Sequence, residues 1–198
     1  MLPEYGHAEY EKFIDRNLTW ELRTHAHIFT TEAIAMFFGR MAADTEWLEL
    51  MTGISKDEKK RIAADCFNSF RLEQLVFSRW VQVMFRFEKG MYENPAQDLN
   101  ALWWSLVEKY QMIKKPEGRN EPDWASKIHV ALYPAYYHNY MLGELLASQF
   151  HYFLLNKNNG NYSGMLNNSS LGKYFKEEFF AYGSRLKWDS LIKQATGE

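Results

Sequence analysis

The sequence predicts an all-α, multi-helical protein. Apolar residues recur at helical steps of three and four, or sums of these, as in Ile62, Cys66, Phe70, Phe77, Trp80, Met84 and Phe87. No stretch shows the clean alternation of a half-buried strand. Glycine, proline and Asn/Ser clusters fall between the periodic stretches, where helices start and stop.

Taken in order, EYGHAEYEKFIDR begins a short helix, with Pro3 in a first turn that tolerates its missing N–H. LRTHAHIFT reads as a connector. Thr30 and Thr31 are expected to cap TEAIAMFFGRMA, which carries Ile34, Phe37, Phe38 and Met41 on one face. Gly53 punctuates, and Ser55 to Glu58 forms a capping box opening a long helix that Gly90 ends. Asn94-Pro95 marks a turn before a helix through Leu99, Leu102, Trp103, Leu106 and Tyr110. KKPEGRNEPD is a polar loop, and a long aromatic helix is expected from about Pro134 to Leu155. NKNNGNYSGMLNNSS is a loop by composition. Two short amphipathic helices close the chain, LGKYFKEEFFAYGS and LKWDSLIKQATG, separated by Gly183.

At 198 residues and 46% hydrophobic, the chain fits a single α-helical domain over 1–198 with a substantial core. A net charge of −2 gives no electrostatic footprint for nucleic acid or an anionic membrane surface. The single cysteine, Cys66, sits on an apolar stripe and excludes an internal disulfide framework. No apolar run reaches a membrane span, since Glu144, Gln149 and His151 interrupt the longest one. No basic segment followed by an apolar one reads as a signal peptide.

Three stretches could carry chemistry. In the opening MLPEYGHAEY, positions 3 and 7 lie one helical turn apart. Two histidines there would chelate one metal, with Glu4 beside the metal-bound water as general base. Pro3 cannot ligate, and taken alone the stretch reads equally as a surface helix start. Glu32, twenty-five positions after His7, is by itself a first-turn residue complementing the helix dipole. Downstream, Lys127 and His129 precede Tyr137 and Tyr140, which are three apart and so share a helix face. Together they could hold a peptide carboxylate, a carbonyl and a developing oxyanion, or they could be a packing helix with a solvated lysine.

Taken together, LWWSLVEKYQMI, a proline-containing loop, KIHV, a proline and the Y-x-x-Y helix running on to Gln149-Phe150-His151 resemble the angiotensin-converting-enzyme-like zinc metallopeptidases. The pattern overlaps the related thimet-type oligopeptidases. The resemblance covers essentially the whole chain and corresponds to the C-terminal half of a longer peptidase. It implies the second half of a deep helical cleft and zinc-dependent peptide hydrolysis of the peptidyl-dipeptidase or oligopeptidase type. It implies His7 and Glu32 as zinc ligands, Glu4 as general base and Tyr140 as oxyanion stabiliser. His129 would donate to a carbonyl, and Lys127 with Tyr137 would hold the substrate's terminal carboxylate. Expected partners are a peptide, and the missing N-terminal half or a second copy. Pro3 replaces the first zinc histidine, Asn139 replaces a chloride-binding arginine, and Met36 replaces an acid that steadies a zinc histidine. A gapless register would use Tyr136 and place Asn139 as the second tyrosine; the Tyr137/Tyr140 register preserves the pair. His25 and His27 could be offered as substitutes for the lost ligand, while His138 and His151 read as packing or rim residues. The departures leave two functional readings: a zinc peptidase impaired at one ligand, or a non-catalytic helical module that binds a peptide or partner.

Overall fold

The computed structural model describes residues 1–198, apart from the side chain of Ser163. The fold is all-α, as the periodicity predicts. Its α-helices are α1 (Leu2–Phe13), α2 (Ile28–Gly39), α3 (Thr45–Thr52), α4 (Lys56–Glu93), α5 (Leu99–Gln111), α6 (Ile128–Ala131), α7 (His138–Lys157), α8 (Ser169–Glu178) and α9 (Trp188–Thr196).

Four boundaries differ from the sequence reading. Helix α4 does not end at Gly90 but runs through it to Glu93, and Gly90 allows close packing, since a Cβ there would stand 3.0 Å from Leu102 Cδ2. Helix α2 starts earlier than Thr30 and Thr31 allow: its N-cap is His27, whose ring accepts from Phe29 N at 3.3 Å. The Thr30 hydroxyl in turn accepts from His27 N at 3.2 Å, which closes a capping box. The chain breaks again at Asp44, whose carboxylate accepts from Trp47 N at 2.8 Å and starts α3. The aromatic helix expected from Pro134 begins only at His138. Before it, α6 and a turn with Ala135 at φ 54° take up the chain.

The residues divide into two compact units, 1–67 with 142–198 and 68–141, and the divisions fall within α4 and α7. In the first unit, Tyr10, Ile14, Phe29, Ile34, Phe150 and Phe179 form the core. Tyr10 is fully buried, with its ring 5.4 Å from Phe179 and 5.0 Å from Phe180. Such aromatic contacts add about 1 kcal/mol each beyond burial. Burial pushes the Tyr10 phenol up to about 12. Helix α1 lies so close to α2 that a Cβ on Gly6 would stand 2.8 Å from Ala35 Cα and Ile34 O. In the second unit, Val83, Met84, Phe87, Trp103 and Val107 form a separate core. Trp103 meets Trp80 and Phe87 edge-on at 5.8 and 5.2 Å.

Candidate active-site residues

In the first unit the α1–α2 contact brings His7 to Glu32. His7 Nδ1 lies 2.8 Å from Thr31 Oγ1, which leaves Nε2 facing Glu32 Oε2 at 3.7 Å. Two donors on one tetrahedral zinc stand about 3.4 Å apart when each bond is about 2.1 Å. The pair therefore has the spacing of two ligands, and Thr31 orients the ring as an outer partner would. Glu32 is buried, and a Cβ on Gly143 of α7 would lie 3.0 Å from Glu32 Cβ and 3.1 Å from Met36 Sδ. A side chain at 143 would push this part of α7 off α2.

The third donor is missing. Pro3 offers only carbon, and its ring fits against Gly39, where a Cβ would sit 3.2 Å from Pro3 Cγ. Neither histidine considered as a substitute takes its place. His25 Nδ1 is 2.7 Å from Glu11 Oε1, and His27 caps α2. Among the described residues no group of three His, Cys, Asp or Glu side chains could hold a metal. The donor set present does not fit a catalytic zinc. Glu4 lies on α1 before His7 and is exposed.

In the second unit His129, Tyr137 and Tyr140 meet. His129 Nε2 is 3.0 Å from Tyr140 Oη. The His129 ring stands edge-on to Tyr137 at 5.0 Å, and the two tyrosine rings meet at 5.1 Å. Tyr137 Oη accepts from Trp80 Nε1 at 2.8 Å, and Lys127 Nζ lies 5.3 Å from the centre of the Trp80 indole. Lys127 and Tyr137 thus share one aromatic wall. A cavity of about 730 Å³ opens beside Lys127, with Trp80, Trp103 and Trp104 on its apolar side and Glu117, Arg119, Glu121 and Asp123 on its polar side. Asn139, the second residue of the gapless register, is buried, and its amide donates to Tyr136 O at 2.8 Å. Tyr137 precedes α7 instead of lying within it. Its carbonyl accepts from Tyr140 N at 3.3 Å, so the two remain one turn apart.

Burial holds the His129 imidazole below the ordinary histidine range, partly opposed by the Glu88 charge. His151 is held low by burial and then by the Arg40 charge, with Asp44 opposing. Burial raises the Tyr137 phenol, and the Trp80 donor partly offsets this. A histidine whose folded-state value is depressed binds fewer protons folded than unfolded. Its contribution to stability is present at neutral pH and is lost as pH falls below about 6.5. Urea melts between pH 7 and 5 should show that decline, and His129→Gln with His151→Gln should flatten it. An unchanged slope would contradict the assignment.

Sequence reasoning missed Trp80, Thr31 and Glu88 as parts of these groups. Trp80 and Glu88 lie on the same apolar stripe of α4 as Phe77 and Met84, and a carboxylate on such a stripe is the signal that was available.

Among known proteins, the family model described as angiotensin-converting enzyme, a peptidase family, matches residues 2–198. A search of curated proteins gives no match. An M32 carboxypeptidase from Deinococcus radiodurans R1 is similar in structure, with TM-score 0.76 and 21% identity over 100% of this chain and 44% of that one. A structure titled BsuCP is similar at TM-score 0.73 and 21% identity, with the same coverage. The chain therefore spans under half the length of the structures it matches.

Proposed function

This chain belongs to the angiotensin-converting enzyme family of peptidases, and we propose that it is the peptide-recognising, C-terminal half of that fold, binding the C-terminal end of a peptide. One observation carries the reading. The Lys127 ammonium stands half-buried over Trp80, whose indole N–H donates to the Tyr137 hydroxyl, and it lines a cavity with three tryptophans. Asp123 on the same cavity wall acts on this cation electrostatically without forming an ion pair with it among the described residues, and a terminal carboxylate suits the place. The cavity takes an apolar side chain next to it. The neutral His129 and Tyr140 hydrogen-bond each other and can turn to a peptide carbonyl.

The reading is tested with two peptides that differ only in a free or amidated C-terminus, titrated by tryptophan fluorescence. The free acid should bind roughly tenfold tighter or more, since a hydrogen bond to a charged group contributes about 1.5–3 kcal/mol. Lys127→Ala should erase the difference. Equal affinity for acid and amide in the unsubstituted chain would end the proposal.

Hydrolysis is the second reading, and the His7–Glu32 spacing of 3.7 Å together with Glu4 favours it. In the family's scheme zinc polarises the scissile carbonyl and its water. Here Glu4 would be the base for that water, but among the described residues no set of three ligands completes the metal site. With Pro3 in place we propose binding without turnover. The other wall of a cleft would come from a companion half or a second copy.

A further inference from the structure

The reading above leaves one buried acid unused. Glu88 of α4 is 7% exposed, and its described partners are neutral. Oε1 accepts from the backbone N–H of Ala135 and from Tyr92 Oη at 3.2 Å. Holding a carboxylate out of water against neutral donors is unfavourable unless the bonds it makes fix something. What these bonds fix is a turn. Ala135 has φ 54°, a left-handed conformation that a residue with a β-carbon adopts at a cost. The turn joins α6, which carries His129, to Tyr137 and to α7, which carries Tyr140. From the far side, the Asn139 amide donates to Tyr136 O at 2.8 Å and closes it.

The remaining contacts of the same α4 face agree with this. Phe77, Trp80, Met84 and Glu88 follow one another at steps of three, four and four. Phe77 meets the Tyr140 ring edge-on at 6.0 Å, and Trp80 donates to Tyr137 Oη at 2.8 Å. One helix face thus touches both tyrosines and the turn that spaces them.

We propose that Glu88 is a positioning residue whose carboxylate holds the Ala135 turn left-handed and so sets Tyr137 and Tyr140 against His129 and Lys127. The proposal deepens, and rests on, the reading that this face receives the C-terminal end of a peptide. It assigns Glu88 no contact with the peptide.

Two substitutions in the full chain separate reach from charge. Glu88→Gln keeps an acceptor at the same reach and loses the charge. Glu88→Asp keeps the charge and withdraws the acceptor by one methylene. Two measurements are made: the His129 ring nitrogen signals by NMR, which report its bond to Tyr140, and the affinity for a free-acid peptide. At about pH 8, where a histidine held below its ordinary range is neutral with or without the Glu88 charge, Glu88→Gln should leave the His129 signals in place and the affinity within about twofold. Glu88→Asp should shift or broaden those signals and weaken the peptide about tenfold. Adding Ala135→Gly, which accepts a positive φ without penalty, should restore both in the Asp variant, including one too unstable to fold alone. The proposal is overturned if Asp lowers the melting temperature with the His129 signals unmoved, or if Gln behaves as Asp does. It is equally overturned if Gln fails to fold, or if Ala135→Gly restores nothing. Should the unsubstituted chain bind no peptide, the C-terminal reading falls, while the NMR comparison still decides the role of Glu88 in the turn.

Discussion

Replacing Pro3 by histidine should raise zinc affinity by at least about tenfold. Changing a residue that merely supports a zinc ligand costs roughly 10–100-fold, so supplying a ligand should do no less. Position 3 is one helical turn before His7, whose Nε2 already stands 3.7 Å from Glu32 Oε2. A histidine there would add the third donor of a tetrahedral site that keeps one position open for water. Loss of the proline removes a residue suited to a helix start, a small opposing effect. Zinc content after dialysis against a metal buffer measures the change, and chelator-sensitive cleavage of a fluorogenic peptide then tests hydrolysis separately. If the Pro3→His chain holds no more zinc than its parent, His7 and Glu32 are not ligands in waiting.

Gly6→Ala should unfold the α1–α2 contact, although alanine favours helix by about 1 kcal/mol over glycine. The new methyl would stand 2.8 Å from Ala35 Cα, 2.8 Å from Ile34 O and 2.9 Å from Ala35 N. All three are backbone atoms, so relief requires moving one helix against the other. Overpacking of this kind costs about 1–3 kcal/mol or more, and it outweighs the propensity gain. We expect a net loss of about 2 kcal/mol in urea denaturation, with the His7–Glu32 pair pulled apart. Gly172→Ala is the control: a Cβ there meets nothing within 4 Å, so the same change in α8 should stabilise by up to about 1 kcal/mol. Equal effects at the two positions would sink the explanation.

The helices were readable because their signals are local. Stripes such as Ile62 to Phe87 and breaks at Gly53 need only neighbours within a few turns. The link between His7 and Glu32 came from the family resemblance and not from local pattern, and the two side chains lie 3.7 Å apart. Where the reading missed, the deciding partner lay outside that range or among rivals. His27, Thr30 and Thr31 all offer cap atoms. Thr30 back-bonds to His27, and Thr31 is drawn to His7 across 24 positions. The turn before α7 lies inside the helix that the sequence predicts from about Pro134. Ala135 is held left-handed by an acid 47 positions away, which no local pattern encodes. The cavity beside Lys127 was invisible for the same reason, since Trp80, Trp103 and Lys127 come from three separate stretches.

The first compact unit is built from both ends of the chain, residues 1–67 and 142–198. A ribosome makes Tyr10, Ile14, Phe29 and Ile34 about 140 residues or more before their core partners Phe175, Phe179 and Leu191. At about 5–20 residues per second, those apolar side chains wait on the order of ten seconds for cover. The contiguous stretch 68–141 has no such delay. Nascent chains should therefore acquire protease resistance first around Phe87 and Trp103, and chaperone dependence should concentrate on the segment that carries His7 and Glu32.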